Sequence, residues 1–363
     1  MASFRRSIAG WTPGAAKGAD QMSVLKRPEV AYGSDRHGLV WAYLFSPAHP
    51  PAELDAESAV EWLATPQAID STAFVWLHFS LSNAACERWM RQSLELPEAF
   101  HESLRESVGS TRLEQEGDTL IAVVHDVLFN TTFDSAGIST VSLSIGPRLV
   151  VSARLRPLRS LDRLRAAVKA GQTLRSPAEL LAQLLRDQAA VLTDIVRQST
   201  TRVDAIEDRL LANRIAVSRV ELSSLRRSLV RLQRLLAPEP AALFRLLSRP
   251  LVWLSDADLQ DLRQSAEEFS ATVADSAALT ERLKLLQEEL AALINEQTNR
   301  TLFVLTLVTV LALPINLVAG LFGMNVGGIP FAQHPSGFLL VVGSLSLLTG
   351  SLAYVVLRLR RRD

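Results

Sequence analysis

From Thr301 to Leu357 the sequence has no Asp, Glu, Lys or Arg, although 21% of the whole chain is charged. This interval divides into two apolar runs, Leu302 to Phe322 and Gly337 to Leu357. Each has about the 20 residues that a helix rising ~1.5 Å per residue needs to cross a hydrocarbon core ~30 Å thick. The chain therefore reads as a membrane protein with two spans, 301–325 and 337–357, joined by a loop at 326–336.

The first span is not uniformly apolar, and its exceptions are ordered. With Asn299 as position a of a heptad, the a and d positions run Asn299, Leu302, Thr306, Thr309, Leu313, Asn316, Gly320 and Gly323. Lipid offers no partner to a hydroxyl or a carboxamide, so such a stripe should face protein or water. One two-span hairpin cannot enclose a water path, but several copies around an axis can. On this reading the first span is the pore helix of a homo-oligomer. The alternative is that Thr306 and Thr309 bond back to carbonyls of the preceding turn, as Thr does in membrane helices.

The span closes on Gly323-Met324-Asn325, followed by Val326-Gly327-Gly328-Ile329-Pro330. A Gly-Met-Asn triplet ending the first of two C-terminal spans, behind a long soluble region, resembles the CorA-type divalent-cation transporters. The resemblance implies a homopentameric funnel in the bilayer, with a ring of Asn325 carboxamides at its outer mouth and Gly323 and Met324 shaping the turn. Neutral carbonyl oxygens can hydrogen-bond the water shell of a divalent ion without holding it too tightly to release. In that family large apolar residues on the pore face form constrictions, a role that falls on Leu302 and Leu313.

Magnesium-type members carry an acidic residue after the triplet, commonly in a Met-Pro-Glu context, whereas this loop has Ile329-Pro330-Phe331 and no carboxylate. It looks like the ZntB branch, which implies proton-coupled zinc transport. His334 is the loop's one titratable side chain, and neutral imidazole is a common zinc ligand. The ion expected is Zn2+, with Mg2+, Co2+, Ni2+ and Cd2+ as alternatives and no resident cofactor. A magnesium or cobalt channel, zinc efflux, and a membrane-anchored scaffold or signalling protein are the competing readings.

Charge fixes the expected topology. Arg300 precedes the first span and Arg358, Arg360, Arg361 and Arg362 follow the second, while Met324 to Ser336 has neither Lys nor Arg. By the positive-inside rule the basic tail, 358–363, and the soluble region lie in the cytoplasm of a bacterial inner membrane protein. Met1 to Gln21 lacks the apolar run of a signal peptide, and 1–30 reads as a disordered tail. Equal numbers of acidic and basic residues leave no nucleic-acid footprint, and the single cysteine, Cys86, excludes an internal disulfide.

Over 31–177, Leu39 to Phe45, Phe74 to Phe79, Thr119 to Leu128, Ile138 to Ile145 and Leu149 to Ser152 read as strands, rich in Val, Ile, Phe, Trp and Thr. Asp55 to Ala64, Asn83 to Leu94 and Glu98 to Val108 read as helices between them. The fold class is an α/β domain followed by a helical stalk and two transmembrane helices. Nothing in the residues asks for an enzyme. His101-Glu102 begins the zinc-protease pattern, but Arg105 stands where the second His is required, and His78 and His125 fall in strands as core or face residues.

A helical hairpin is expected over 178–254, with one helix running to about Leu211 and a second from about Ser218 to Leu236, ended by Pro238 and Pro240. Arg202, Arg209, Arg214, Arg219, Arg226, Arg227, Arg231 and Arg234 give the hairpin a basic cast, suited to acidic partners or a neighbouring subunit's carboxylates, or to a solvated face with charges of both signs. Ser255-Asp256-Ala257-Asp258 suits a capping box, and no Pro or Gly follows until Pro314. One helix can therefore run from the stalk, 255–300, through the first span. Its cytoplasmic half offers a seam of Leu279, Leu283, Leu286, Leu290 and Leu293. Extended backwards, the pore heptad puts Glu281, Glu288 and Asn295 in an inner vestibule, where carboxylate rings concentrate cations. In the second span Gly343, Ser346, Gly350 and Ala353 form a small-residue stripe, expected to meet the first span.

Overall fold

The computed structural model describes residues 33–47, 49–65, 72–105, 111–128, 137–212, 215–324 and 335–360. The expected tail at 1–30, Asn325, His334 and most of the loop between the spans lie outside the described residues.

Seven strands form one sheet: β1 (Leu39–Ser46), β2 (His49–Leu54), β3 (Phe74–Ser80), β4 (Arg112–Glu116), β5 (Thr119–Val127), β6 (Ile138–Ile145) and β7 (Leu149–Arg154). Their order is β2-β1-β3-β7-β6-β5-β4, with β3 and β7 parallel and every other neighbour antiparallel. Alternation sends side chains to two faces. On β3, Phe74 and Trp76 join one core, and Val75, Leu77 and Phe79 join the other. Helices α1 (Ala56–Ala64), α2 (Cys86–Ser93) and α3 (Glu98–Arg105) supply Ala59, Met90 and Phe100 to the second core. The first is covered by α4 (Arg159–Lys169) and by α5 (Pro177–Leu211), through Leu161, Leu164, Leu180 and Leu184. The α/β reading holds.

Three elements depart from the expectations. Strands β2 and β4 lie at the two sheet edges, and both carry the residues that edges tolerate: Pro50 and Pro51 in one, Arg112, Glu114 and Glu116 in the other. Pro238 and Pro240 do not end the helical region. After α6 (Ile215–Leu236), Pro238 opens α7 (Pro238–Leu247), because the first turn needs no amide proton from Pro.

Helix α8 (Asp256–Phe322) is unbroken over 67 residues, about 100 Å at ~1.5 Å per residue. Its capping box forms as expected, with the Ser255 hydroxyl accepting from the Asp258 amide and the Asp258 carboxylate accepting from the Ser255 amide. The Ser176 hydroxyl, which caps α5, also donates to Asp258, and Arg175 pairs with Asp261. This clasp starts α5 and α8 side by side and parallel. Farther along, Thr193 and Thr272 stand 3.3 Å apart, and Arg282 reaches Asp204 and Glu207. Antiparallel α6 completes a three-helix stalk around Val203, Ile206, Leu222, Leu225, Leu283 and Leu290. Of the expected seam, Leu279, Leu283, Leu286 and Leu290 are buried and Leu293 half-buried.

The last helix, α9 (Gly337–Arg360), returns along the apolar end of α8. Its covered and partly covered positions run Gly337, Val341, Leu345, Thr349 and Leu352. The expected meeting of the small-residue stripe with the first span does not occur. Of its four residues Gly343, Ser346 and Gly350 are exposed and only Ala353 is partly covered, and a Cβ built at Gly343 or Gly350 would meet nothing within 4 Å. A ridge at i, i+4 of larger side chains fills the hairpin contact instead and turns the small residues outward.

Candidate ion path along the long helix

The apolar ends of α8 and α9 are long enough to cross a membrane, and none of either 18-residue window is buried within the chain. On α8 the partly covered positions include Phe303, Leu307, Val310, Pro314 and Val318, an i, i+4, i+7 face matching that of α9. The polar stripe lies elsewhere. Asn299, Leu302, Thr306, Thr309, Leu313, Asn316 and Gly320 are all exposed, with Leu302 at 54% and Leu313 at 67%. The fold thus leaves this stripe uncovered by its own hairpin, as a surface that only other copies, lipid or water can meet.

Both threonine hydroxyls are already engaged. Thr306 donates to the Leu302 carbonyl and Thr309 to the Leu305 carbonyl, each at 2.8 Å. The back-bonding alternative is therefore what the helix adopts. It leaves the hydroxyl oxygens outward as acceptors, which is the polarity a cation's water shell can use. Gly323 ends α8 at φ −79°, an ordinary right-handed value, so the stop there does not use the left-handed freedom of glycine. Met324 follows, 51% exposed.

In the stalk, Glu281, Glu288 and Asn295 are exposed. Glu281 and Glu288 fall on the side of α8 away from the Leu283 and Leu290 seam, whereas Asn295 borders a hollow shared with Leu290 and Arg219. Glu281 is partly neutralised by Lys284, whose Nζ lies 3.0 Å from it. Among the described residues no group of three or more His, Cys, Asp or Glu is arranged to hold a metal ion.

Three histidines of the α/β domain, His78, His101 and His125, are buried. His78 is sealed beneath Trp41, its Nδ1 2.8 Å from the Ser152 hydroxyl and its Nε2 accepting from Arg154. Burial, aided by Arg154, holds its pKa well below the ordinary histidine range. His101 is buried in α3 and likewise lowered, by burial first and then by Arg91. His125 belongs to a cluster that sequence reasoning missed, since its partner Glu239 sat in a segment read as a helix terminator. Glu239 Oε1 accepts from the His125 amide, and the Gln188 side chain donates to the His125 carbonyl at 2.7 Å. Three buried atoms here, His125 Nε2, Glu239 Oε2 and Gln188 Oε1, have no hydrogen-bond partner among the described residues.

The architecture of sheet, stalk, long helix and paired spans is shared with known proteins. The sequence model described as "CorA-like Mg2+ transporter protein" matches residues 71–361. The zinc transport protein ZntB of Pectobacterium atrosepticum is 25% identical over 305 residues, which is 83% of this chain and 92% of that protein. The divalent cation transporter CmaX of Pseudomonas aeruginosa is 29% identical over 281 residues, 77% of this chain and 83% of that one. Among solved structures, full-length CmaX superposes with a TM-score of 0.75 at 25% identity, covering 89% of this chain and 99% of the other. The CorA magnesium transporter of Methanocaldococcus jannaschii gives 0.69 at 18% identity over 89% and 98%, a likeness of fold alone. Matched by the family's sequence model across most of its length and by its architecture from sheet to second span, the chain belongs to the CorA-like Mg2+ transporter family.

Proposed function

We propose that this chain moves zinc across the bacterial inner membrane, taking it up with protons through a homopentameric pore. Transport of divalent cations follows from the family; ion, coupling and copy number are our reading. The observation that carries it is the stripe from Asn299 to Gly320, polar at intervals and uncovered by the chain's own hairpin. Set inward around an axis, it gives a path in which Asn316, Thr309, Thr306 and Asn299 supply oxygens and Leu313 and Leu302 narrow the bore. Asn325, with Gly323 and Met324, forms the outer ring, and Glu281, Glu288 and Asn295 line the inner vestibule.

Zinc is favoured over magnesium by the loop, which has no carboxylate and one imidazole, His334. Both termini lie in the cytoplasm on this reading, since the arginines flank the spans on one side only. A magnesium or cobalt channel is the second reading, favoured by the family's sequence model, which is described as a Mg2+ transporter.

The test is zinc flux into proteoliposomes of the purified chain, with and without an inward proton gradient, beside Asn325→Ala and a magnesium control. Gradient-stimulated zinc flux, lost in the variant, is the expected result. Magnesium flux indifferent to the gradient would assign the protein to the channel reading, and outward-only zinc movement to efflux. No flux of either ion under verified reconstitution would leave a membrane-anchored scaffold.

A further inference from the structure

Helix α6 carries five arginines and one carboxylate, Glu221, which Arg209 of α5 already holds. Four of these arginines, Arg226, Arg227, Arg231 and Arg234, line an open groove of about 740 Å3 between α6 and α8. The groove continues toward the first span as a second hollow of about 390 Å3, lined by Arg219, Ile294 and Asn295 among others. No carboxylate lines either part among the described residues. Arg226 donates to Gln287 of α8 at 2.8 Å, while Arg219, Arg227, Arg231 and Arg234 have no ion pair among the described residues.

The opposite flank of α8 has the opposite sign. Successive helix residues stand about 100° apart, so with Glu288 turned to the axis, Gln287 falls to one side and Glu289 to the other. Gln287 floors the arginine groove. Glu289 and, seven residues on, Glu296 are exposed and have no ion pair among the described residues.

The heights match as well. Because α6 runs antiparallel to α8, Arg226 is level with Gln287 and Arg219 with Ile294 and Asn295. Rotation about an axis along α8 preserves height, so a neighbour's Glu289 comes level with Arg226 and its Glu296 with Arg219. We propose that copies of this chain join side to side in the stalk by this contact, the arginine groove of one subunit receiving the Glu289 and Glu296 flank of the next. It is a head-to-tail contact between unlike patches, the kind that closes into a ring. The inference rests on the reading that copies surround an axis with the stripe inward. Separate exposed pairs contribute little to stability, but a matched row of charges sets register and partner.

The experiment uses the full chain in detergent, read by native mass spectrometry. Arg219→Glu with Arg226→Glu, and separately Glu289→Arg with Glu296→Arg, should each raise the monomer share by about tenfold or more, and the fourfold swap should restore the oligomer. An Arg219→Cys, Glu296→Cys chain in a Cys86→Ser background should oxidise to a ladder of cross-linked copies. An intact oligomer in both charge reversals, or a loss that the swap does not repair and no ladder, would overturn the contact while leaving the oligomer standing. A monomeric wild type would instead remove the oligomer reading beneath it. Reversals that strip phosphatidylglycerol from an intact oligomer would overturn the contact and give the groove to a lipid headgroup.

Discussion

The backbone amide of His125 donates to Glu239 Oε1 over 2.6 Å, and the His125 Nδ1 stands 3.5 Å from the same oxygen, though the residues lie 114 positions apart. This pair ties strand β5 to α7 at the foot of the stalk. Burial pushes the Glu239 carboxyl from 4.5 up to about 7, against the pull of His125, and pushes Asp126 beside it up to about 6, against hydrogen bonds from Ser160. Between about pH 4.5 and 7 the folded chain therefore keeps a proton on Glu239 that the unfolded chain releases. Stability contributed here is present below that window and lost as pH rises through it.

Glu239→Gln should flatten this dependence. The carboxamide oxygen can still accept from the His125 amide, and no charge develops. Thermal melting of the full chain at pH 5.5, 6.5 and 7.5 should show the wild type losing ground to the variant at the highest pH, by an amount on the order of 2 kcal/mol. Parallel pH profiles for the two would refute the assignment.

The stalk should depend on its seam more than on its salt bridges. Leu283 is fully buried between α8 and the α5–α6 pair, so Leu283→Ala should cost about 2–5 kcal/mol through lost burial and the cavity left. Arg282, one residue away, reaches both Asp204 and Glu207 but is 39% exposed. Arg282→Ala should cost only about 1 kcal/mol or less, and less still in high salt. Urea titration of the two variants ranks them directly.

Flux should follow the stripe and not apolarity in general. Asn316→Leu removes a carboxamide from the exposed stripe and should lower zinc flux in proteoliposomes by about tenfold or more, if only the stripe meets the ion. Leu313→Ser, by wetting the constriction proposed there, should raise it. Val308, 58% exposed on a different side of α8, supplies the control: Val308→Ala should leave flux unchanged. Equal effects at Val308 and Asn316 would dissociate the path from the stripe.

Gly38→Ala tests a tight corner of the α/β domain. Gly38 leads into β1 at φ +88°, and an added Cβ would come within 2.8 Å of the Cys86 Cβ. Backbone strain alone costs about 1–2 kcal/mol there, before any displacement of α2. A melting temperature unchanged by the substitution would count against this geometry.

Much of this was legible because the period of the pattern is set by burial. Ile138–Ile145 was readable residue for residue, since β6 lies inside the sheet and Val141, Leu143 and Ile145 alternate with Ser142 and Ser144. Helix α8 was legible from the absence of Gly and Pro before Pro314 and from its capping box. The edges were not. Pro50, Pro51, Arg112 and Glu114 are residues that local pattern assigns to loops, and only their place at a sheet margin makes strands of them. Glu239 was invisible for a related reason: a carboxylate between two prolines reads as exposed punctuation, and its burial depends on a strand more than a hundred residues earlier. The stripe was found by periodicity, but that the hairpin leaves it uncovered is a fact of packing, since the partly covered positions of α9 include Val341 and Leu345 while Gly343, Ser346 and Gly350 are exposed.

The clasp of Ser176, Arg175, Asp258 and Asp261 has a mechanical meaning. It fixes the azimuth of α8 at the sheet, and the helix then runs to Phe322 without a break. A rod of this kind cannot twist freely at one end and stay still at the other. Since neighbouring residues on a helix are about 100° apart, a turn of even a third of that at the clasp would swing Leu302 toward the position of its neighbours and alter which side chains border the proposed path. The clasp where α5 and α8 begin therefore sets the face that the apolar end of α8 presents.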